Sequence, residues 1–168
     1  MNGIARRIIL IAGFPCDLDL INLVNELNAD LFIGLGDIEC PQFIRNFIGI
    51  VGDMEDVSVF KYLKNTGKYL EKYFNISSDF STNIVISHYP PKGSITGIIN
   101  DVKVGSQEIM ARVLSNQPKI LFHAHSEIQK EYYINNTKVV SIGNFSKGYY
   151  VEYDSEKGEV KLARVALP

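Results

Sequence analysis

The feature that most constrains this chain is a series of short apolar runs, each closing on small or polar residues. They are Ile8 to Ala12 before Gly13, Leu31 to Leu35 before Gly36-Asp37, and Phe47 to Val51 before Gly52-Asp53. Three more follow: Ile84 to Ser87 before His88, Ile120 to Phe122 before His123, and Val139 to Ile142 before Gly143-Asn144. Runs this short and unbroken suit strands buried on both faces. Helical spacing lies between several of them. Asp17 to Asn28 places Leu20, Leu23, Val24 and Leu27 on one face behind an Asp17 N-cap. Asp56 to Lys64 reads as helix. So does Ser106 to Ser115, with Ile109, Met110, Val113 and Leu114, capped by Ser106 and stopped before Pro118. Asn65 to Asn83 has no clear period. Tyr149 to Tyr153, the turn Asp154 to Gly158, and Val160 to Val165 read as a β-hairpin. The expectation is an α/β fold forming a single domain over 1–168.

Length and composition remove several alternatives. A chain of 168 residues with 46% apolar and 21% charged residues can bury a core and is not disordered in composition. A net charge of −2, without a Lys/Arg stripe, gives no footprint for nucleic acid. No apolar run approaches the roughly 20 residues of a membrane span. Arg6-Arg7 before Ile8 to Phe14 faintly resembles a signal peptide, but Pro15, Cys16, Asp17 and Asp19 follow instead of a small-residue cleavage site. Cys16 and Cys40 form neither a CxxC pair nor a framework, and read as free thiols of a cytoplasmic protein. Without secretion, the N-x-S/T triplets at Asn75, Asn135 and Asn144 carry no weight.

In sheets covered by helices on both faces, ligands bind beyond the carboxyl ends of the strands. Those ends carry Asp37, Asp53, His88 and His123, with His125 two residues on. The chain has three histidines, and all belong to this set. Residues two apart in an extended segment point the same way, so His123 and His125 are expected to face one ligand together. Imidazole with carboxylate is the usual donor set for zinc, iron or manganese. The glycine before each aspartate would permit a tight turn that brings its carboxylate close to an ion. Singly, each residue has an ordinary explanation as a cap, a turn residue or a hydrogen-bonded histidine. Five at equivalent positions point to a metal site.

The ordered series Gly36-Asp37, Gly52-Asp53-Met54-Glu55, His88-Tyr89-Pro90-Pro91-Lys92-Gly93 and His123-Ala124-His125 resembles the calcineurin-like metallophosphoesterases. It is most similar to their small archaeal and bacterial branch, which Val104-Gly105-Ser106 and the Ser141 to Tyr149 segment also resemble. The resemblance implies a sandwich of two mixed β-sheets flanked by helices. It also implies one or two divalent ions, manganese, iron or zinc, with Asp37 as the bridging aspartate. One ion would be held by Asp37, Asp53, His88 and His123. The other ion's remaining positions fall on Gly13, Pro15 and His125, so its first-motif Asp and His are missing. The family's catalytic histidine falls on Met54, and the glycine before His-x-His on Phe122.

The implied function is hydrolysis of a phosphomonoester or phosphodiester, with a small phosphate ester or nucleotide as substrate. Asp37 and His125 carry the catalytic roles, His125 being left to protonate a leaving oxygen. The alternative is a catalytically silent module of the same fold that binds a protein partner.

Overall fold

Each apolar run forms a strand in the computed structural model, which describes residues 3–168. In chain order the strands are β1 (Arg7–Ile11), β2 (Leu31–Leu35), β3 (Phe47–Ile50), β4 (Lys72–Tyr73), β5 (Ile76–Ser77), β6 (Ile84–Ser87) and β7 (Ile98–Ile99). They continue as β8 (Val102–Lys103), β9 (Ile120–His123), β10 (Lys130–Ile134), β11 (Thr137–Ser141), β12 (Tyr149–Asp154) and β13 (Glu159–Arg164). The helices are α1 (Leu18–Glu26), α2 (Val57–Asn65) and α3 (Gln107–Asn116). One sheet has the order β13-β12-β1-β2-β3 and the other β10-β11-β9-β6-β5-β4; β7 and β8 pair separately. Strands β1, β2 and β3 are parallel, as are β5, β6, β9 and β11; antiparallel β12 adjoins the first group at β1, and antiparallel β4 and β10 flank the second.

Unbroken apolar strands are explained by three layers of packing. Ile8, Leu10, Ile33 and Leu35 of one sheet share a core with Ile84, Ile86, Phe122 and Val140 of the other. The alternate residues Ile9, Ile11 and Phe32 pack outward against Ile21 and Val24 of α1 and Leu63 of α2. Val85, Leu121 and Val139 do the same toward Val113 of α3. With both faces covered, no polar alternation is needed. Asp17, Asp56 and Ser106 cap the helices by accepting from the backbone amides of Leu20 (3.1 Å), Ser58 (2.9 Å) and Ile109 (3.1 Å), which satisfies donors that a helix leaves unpaired.

Several expectations change. Helix α1 buries Ile21 beside Val24, while Leu20, Leu23 and Leu27 are only partly covered. The unassigned 65–83 stretch supplies the β4–β5 hairpin at one edge of the second sheet. Strand β10 is an edge strand of partly exposed residues, so it lacks the apolar signature of the others. Cys16 and Cys40 are not free thiols: they form a disulfide between the segments that follow β1 and β2. That pairing rules out a thiolate ligand from Cys16 in this state and removes the argument for a reducing compartment. No helix among the described residues is long and apolar enough to cross a membrane.

Candidate metal centre

Parallel β1, β2 and β3 end at one edge of their sheet, and β6 and β9 end together in the other. The residues that close them meet between the sheets. Asp37 takes a left-handed backbone conformation (φ 56°) directly after Gly36. Its Oδ1 accepts from the backbone amides of Asp53 (2.9 Å) and Met54 (2.8 Å), and its Oδ2 lies 3.3 Å from His88 Nε2. The glycines make room for the imidazole itself. A Cβ at Gly36 would stand 2.5 Å from His88 Nδ1, and one at Gly52 would stand 2.6 Å from His88 Nε2 and 2.5 Å from Asp37 Oδ1.

His88 is 5% exposed, so the partners of its two nitrogens decide its chemistry. Nδ1 lies 2.8 Å from the Leu35 carbonyl, which fixes the proton there in the neutral ring. Nε2 is buried, and its polar neighbour is Asp37 Oδ2 at 3.3 Å, a contact short of a well-formed hydrogen bond. It faces donor atoms of Asp37 and His125, and all three lie within 4.8 Å of one another. A histidine anchored through one nitrogen to a backbone carbonyl, with the other aimed into a carboxylate–imidazole cluster, is the usual arrangement of a metal ligand. The donor set suits zinc, iron or manganese.

The electrostatics agree with that geometry. Burial alone would raise the Asp37 carboxyl, but hydrogen bonding to His88, the His88 charge and the two backbone amides outweigh it and bring the pKa down to about 2. Burial likewise disfavours charge on His88, yet the hydrogen bond and charge of Asp37, the Leu35 carbonyl and Asp53 together raise its pKa. His125 is depressed, first by burial and then by His88, against the pull of Asp53 and Asp37. Glu55, partly buried beneath the site, is raised chiefly by desolvation and accepts from the Gly52 amide at 2.9 Å.

Two of the five expected residues stand apart from this cluster. Asp53 lies on the rim, accepting from the Tyr89 hydroxyl, with Oδ2 3.9 Å from His125 Nδ1. His123 is fully buried and both its nitrogens are engaged: Nδ1 with the Ala124 carbonyl and Nε2 with Thr96 Oγ1, each at 2.8 Å. Thr96 Oγ1 in turn meets the Tyr132 hydroxyl at 2.7 Å. Burial holds His123 neutral, its pKa lowered to about 4. The expectation that His123 and His125 face one ligand side by side is therefore corrected. Strand β9 ends at His123, and His125 adopts φ 52°, which breaks the two-residue alternation.

The structure also adds residues. Tyr89 forms a ring cluster with His88 and His125, centroids 5.0 Å apart, and its hydrogen bond to Asp53 is the first cause raising its pKa to about 12. Tyr89 sits next to His88 in sequence, the one signal that was available for it. Thr96 carried none.

On the other side of Asp37 lies a cleft of 290 Å³ lined by Gly13, Phe14, Pro15, Glu39, Met54 and Asn144, among others. Gly13 has φ +66°, and a Cβ there would overlap the Asn144 amide oxygen. The 143–148 segment docks on the end of β1 through Phe145 N to Ala12 O (2.7 Å) and Ser146 N to Gly13 O (3.1 Å), which brings Asn144 over Gly13.

Comparison with known proteins bears on the whole arrangement. A family model described as metallophosphoesterase, calcineurin superfamily, matches residues 43–165, well over half of the chain, beginning after Asp37. No curated protein matches. Among solved structures, one from Thermus thermophilus is similar with a TM-score of 0.68 at 15% identity, covering 97% of this chain and 100% of that one. A novel archaeal phosphodiesterase gives 0.59 at 14% identity, with 95% and 99% covered. Vps29 of Entamoeba histolytica, solved with zinc, gives 0.51 at 14% identity, with 95% and 98% covered. At these identities the likeness is one of fold.

Proposed function

The chain belongs to the calcineurin superfamily of metallophosphoesterases, and from that premise we propose that it hydrolyses a phosphate ester at a divalent ion held by Asp37, His88 and His125. The observation that carries the reading is the buried Nε2 of His88, which sits within one cluster with donor atoms of Asp37 and His125, all within 4.8 Å of one another. A nitrogen desolvated in this way is costly unless its lone pair is taken by a proton shared with Asp37 or by a metal ion.

When bound, a divalent ion supplies Lewis acidity toward phosphoryl oxygens and a water acidic enough to act as nucleophile near neutral pH. The chain's own groups do the rest. Two backbone amides fix Asp37 Oδ1, and with His88, the larger influence, they keep the carboxylate anionic, its Oδ2 directed at the cluster. The Leu35 carbonyl sets the His88 tautomer. His125, depressed and therefore neutral near pH 7, is a nitrogen donor in this reading rather than a proton source. Asp53 and Tyr89 form the rim beside His125, the Tyr89 hydroxyl donating to Asp53.

The test is hydrolysis of an aryl phosphodiester with manganese added, beside a His88→Ala control. Turnover that disappears in the control supports the enzyme. One observation favours a second reading, a binding module that retains the fold. Gly13 and Pro15, on the positions matched to the family's first-motif Asp and His, bring no side-chain donor atoms to the cleft, and beside them Met54 is an exposed apolar side chain, 77% accessible. Metal uptake without turnover of diesters or monoesters, across several divalent metals, would favour that module.

A further inference from the structure

The segments after β1 and β2 are closed by a short ladder. Gly13 N donates to Gly36 O (3.2 Å), and Phe14 N donates to Asp37 O (3.1 Å). Phe14 and Ile38 form a parallel bridge. Beyond it the pairing is continued by Cys16 N donating to Glu39 Oε1 (3.0 Å) and by the Cys16–Cys40 disulfide. Asp37 lies inside this ladder, held in a left-handed conformation that a non-glycine residue adopts at a cost. The Asp53 and Met54 amides hold its Oδ1, and the backbone that delivers the carboxylate to them depends on how both ends of its loop are fixed. Strand β2 and the Phe14 bond fix one end. At the other end, the covalent restraint is the disulfide, three residues from Asp37.

We propose that Cys16 and Cys40 are positioning residues for Asp37: their disulfide holds the Asp37 loop in metal-binding geometry, and its reduction loosens the site. The proposal rests on the reading of Asp37, His88 and His125 as the metal-holding set. Cys16 is exposed and Cys40 partly so, which leaves the bridge open to attack. In exchange with a dithiol, one thiolate attacks a bridge sulfur to give a mixed disulfide, and the second thiolate of the dithiol displaces the protein sulfur. Two electrons pass to the cystine, both cysteines end as thiols after protonation, and the dithiol ends as its own disulfide. The segments then keep only the hydrogen bonds of the ladder, and its end frays.

The experiment measures manganese affinity by titration calorimetry on the oxidised protein, on the protein reduced with a water-soluble phosphine, and on C16S/C40S. Manganese prefers oxygen and nitrogen donors, so freed thiols do not compete for it as they would for zinc. The phosphine takes up water, becoming its oxide as the disulfide becomes two thiols, and leaves no chelating dithiol behind. Thiol titration counts the bridge, circular dichroism follows the fold, and hydrogen exchange follows residues 13–17 and 36–41. The expected result is a loss of manganese affinity of about tenfold or more in both the reduced protein and C16S/C40S, with faster exchange confined to those two segments. Equal affinity in all three forms would overturn the positioning role and leave the metal site standing, as would two titratable thiols in the unreduced protein. General unfolding on reduction, in both forms, would make the bridge a stability device and also overturn it. Failure of the oxidised protein to bind manganese would overturn the metal site and this inference together.

Discussion

His88 Nε2 stands 3.3 Å from Asp37 Oδ2, while the opposite nitrogen of the same ring is tied to the Leu35 carbonyl. In the metal-free protein a proton on Nε2 makes this an ion pair; a metal ion would take the proton's place. Stability and metal affinity are therefore linked through one nitrogen.

The pH dependence follows from opposed shifts within the site. Asp37 has a folded pKa of about 2, below its usual 3.8, so its contribution is fully present above 3.8 and is lost as pH falls toward 2. His88 is raised above 6.5, so its contribution is fully present below 6.5 and is lost as pH rises through the raised value. His123, lowered to about 4, and His125, also lowered, act the other way: their contribution is fully present above 6.5 and is lost as pH falls below it. Melting temperature in a chelator should therefore peak near 6.5 and fall on both sides. Manganese should bind more tightly as pH rises through the same range and flatten the alkaline limb. A thermal-shift series with and without the ion checks both.

Gly52→Ala places a methyl group against the His88 ring and Asp37 Oδ1. Overpacking of this kind typically costs about 1–3 kcal/mol, and here the groups that must move are the proposed ligands. Denaturant unfolding should show that loss, and calorimetry a weakened manganese site.

The two histidines of the His-x-His segment should separate cleanly. Thr96→Val keeps the shape but leaves the buried His123 Nε2 and the Tyr132 hydroxyl without their shared partner, a loss of about 1–3 kcal/mol. Manganese affinity should hardly change. His125→Ala should do the reverse, abolishing metal uptake with little change in unfolding free energy. If manganese affinity instead rises in Thr96→Val, the freed His123 Nε2 has joined the ligands.

The two aspartates should also differ. Asp37→Asn removes the anion at the centre of the cluster and should cost about 100-fold or more in metal affinity, whereas Asp53→Asn, at the rim, should cost no more than about tenfold. Parallel titrations decide the order. Equal losses would place Asp53 on the ion.

Much of this arrangement was legible in the sequence because it depends on local patterns. Apolar runs without alternation announced buried strands, and the residues closing them announced the edge where Asp37 and His88 meet. The caps at Asp17, Asp56 and Ser106 follow from side-chain chemistry within one helical turn. What was not legible depends on the path of the backbone after a strand ends. The positive φ of His125 decides which histidine enters the cluster, and no pattern of apolar residues encodes it. The Cys16–Cys40 bridge joins positions 24 apart only because β1 and β2 are parallel neighbours. Thr96 reaches His123 from a loop whose course is set by tertiary contacts alone.

The packing of Asn144 over Gly13 couples the two positions. A carboxylate placed at position 13 would need a side chain at φ +66° and would run into the Asn144 amide. Gly13→Asp alone is thus a loss before it can be a gain. Installing a side-chain donor on that side of the cleft takes two coordinated changes, one at 13 and one at 144, so the two positions can be engineered only as a pair.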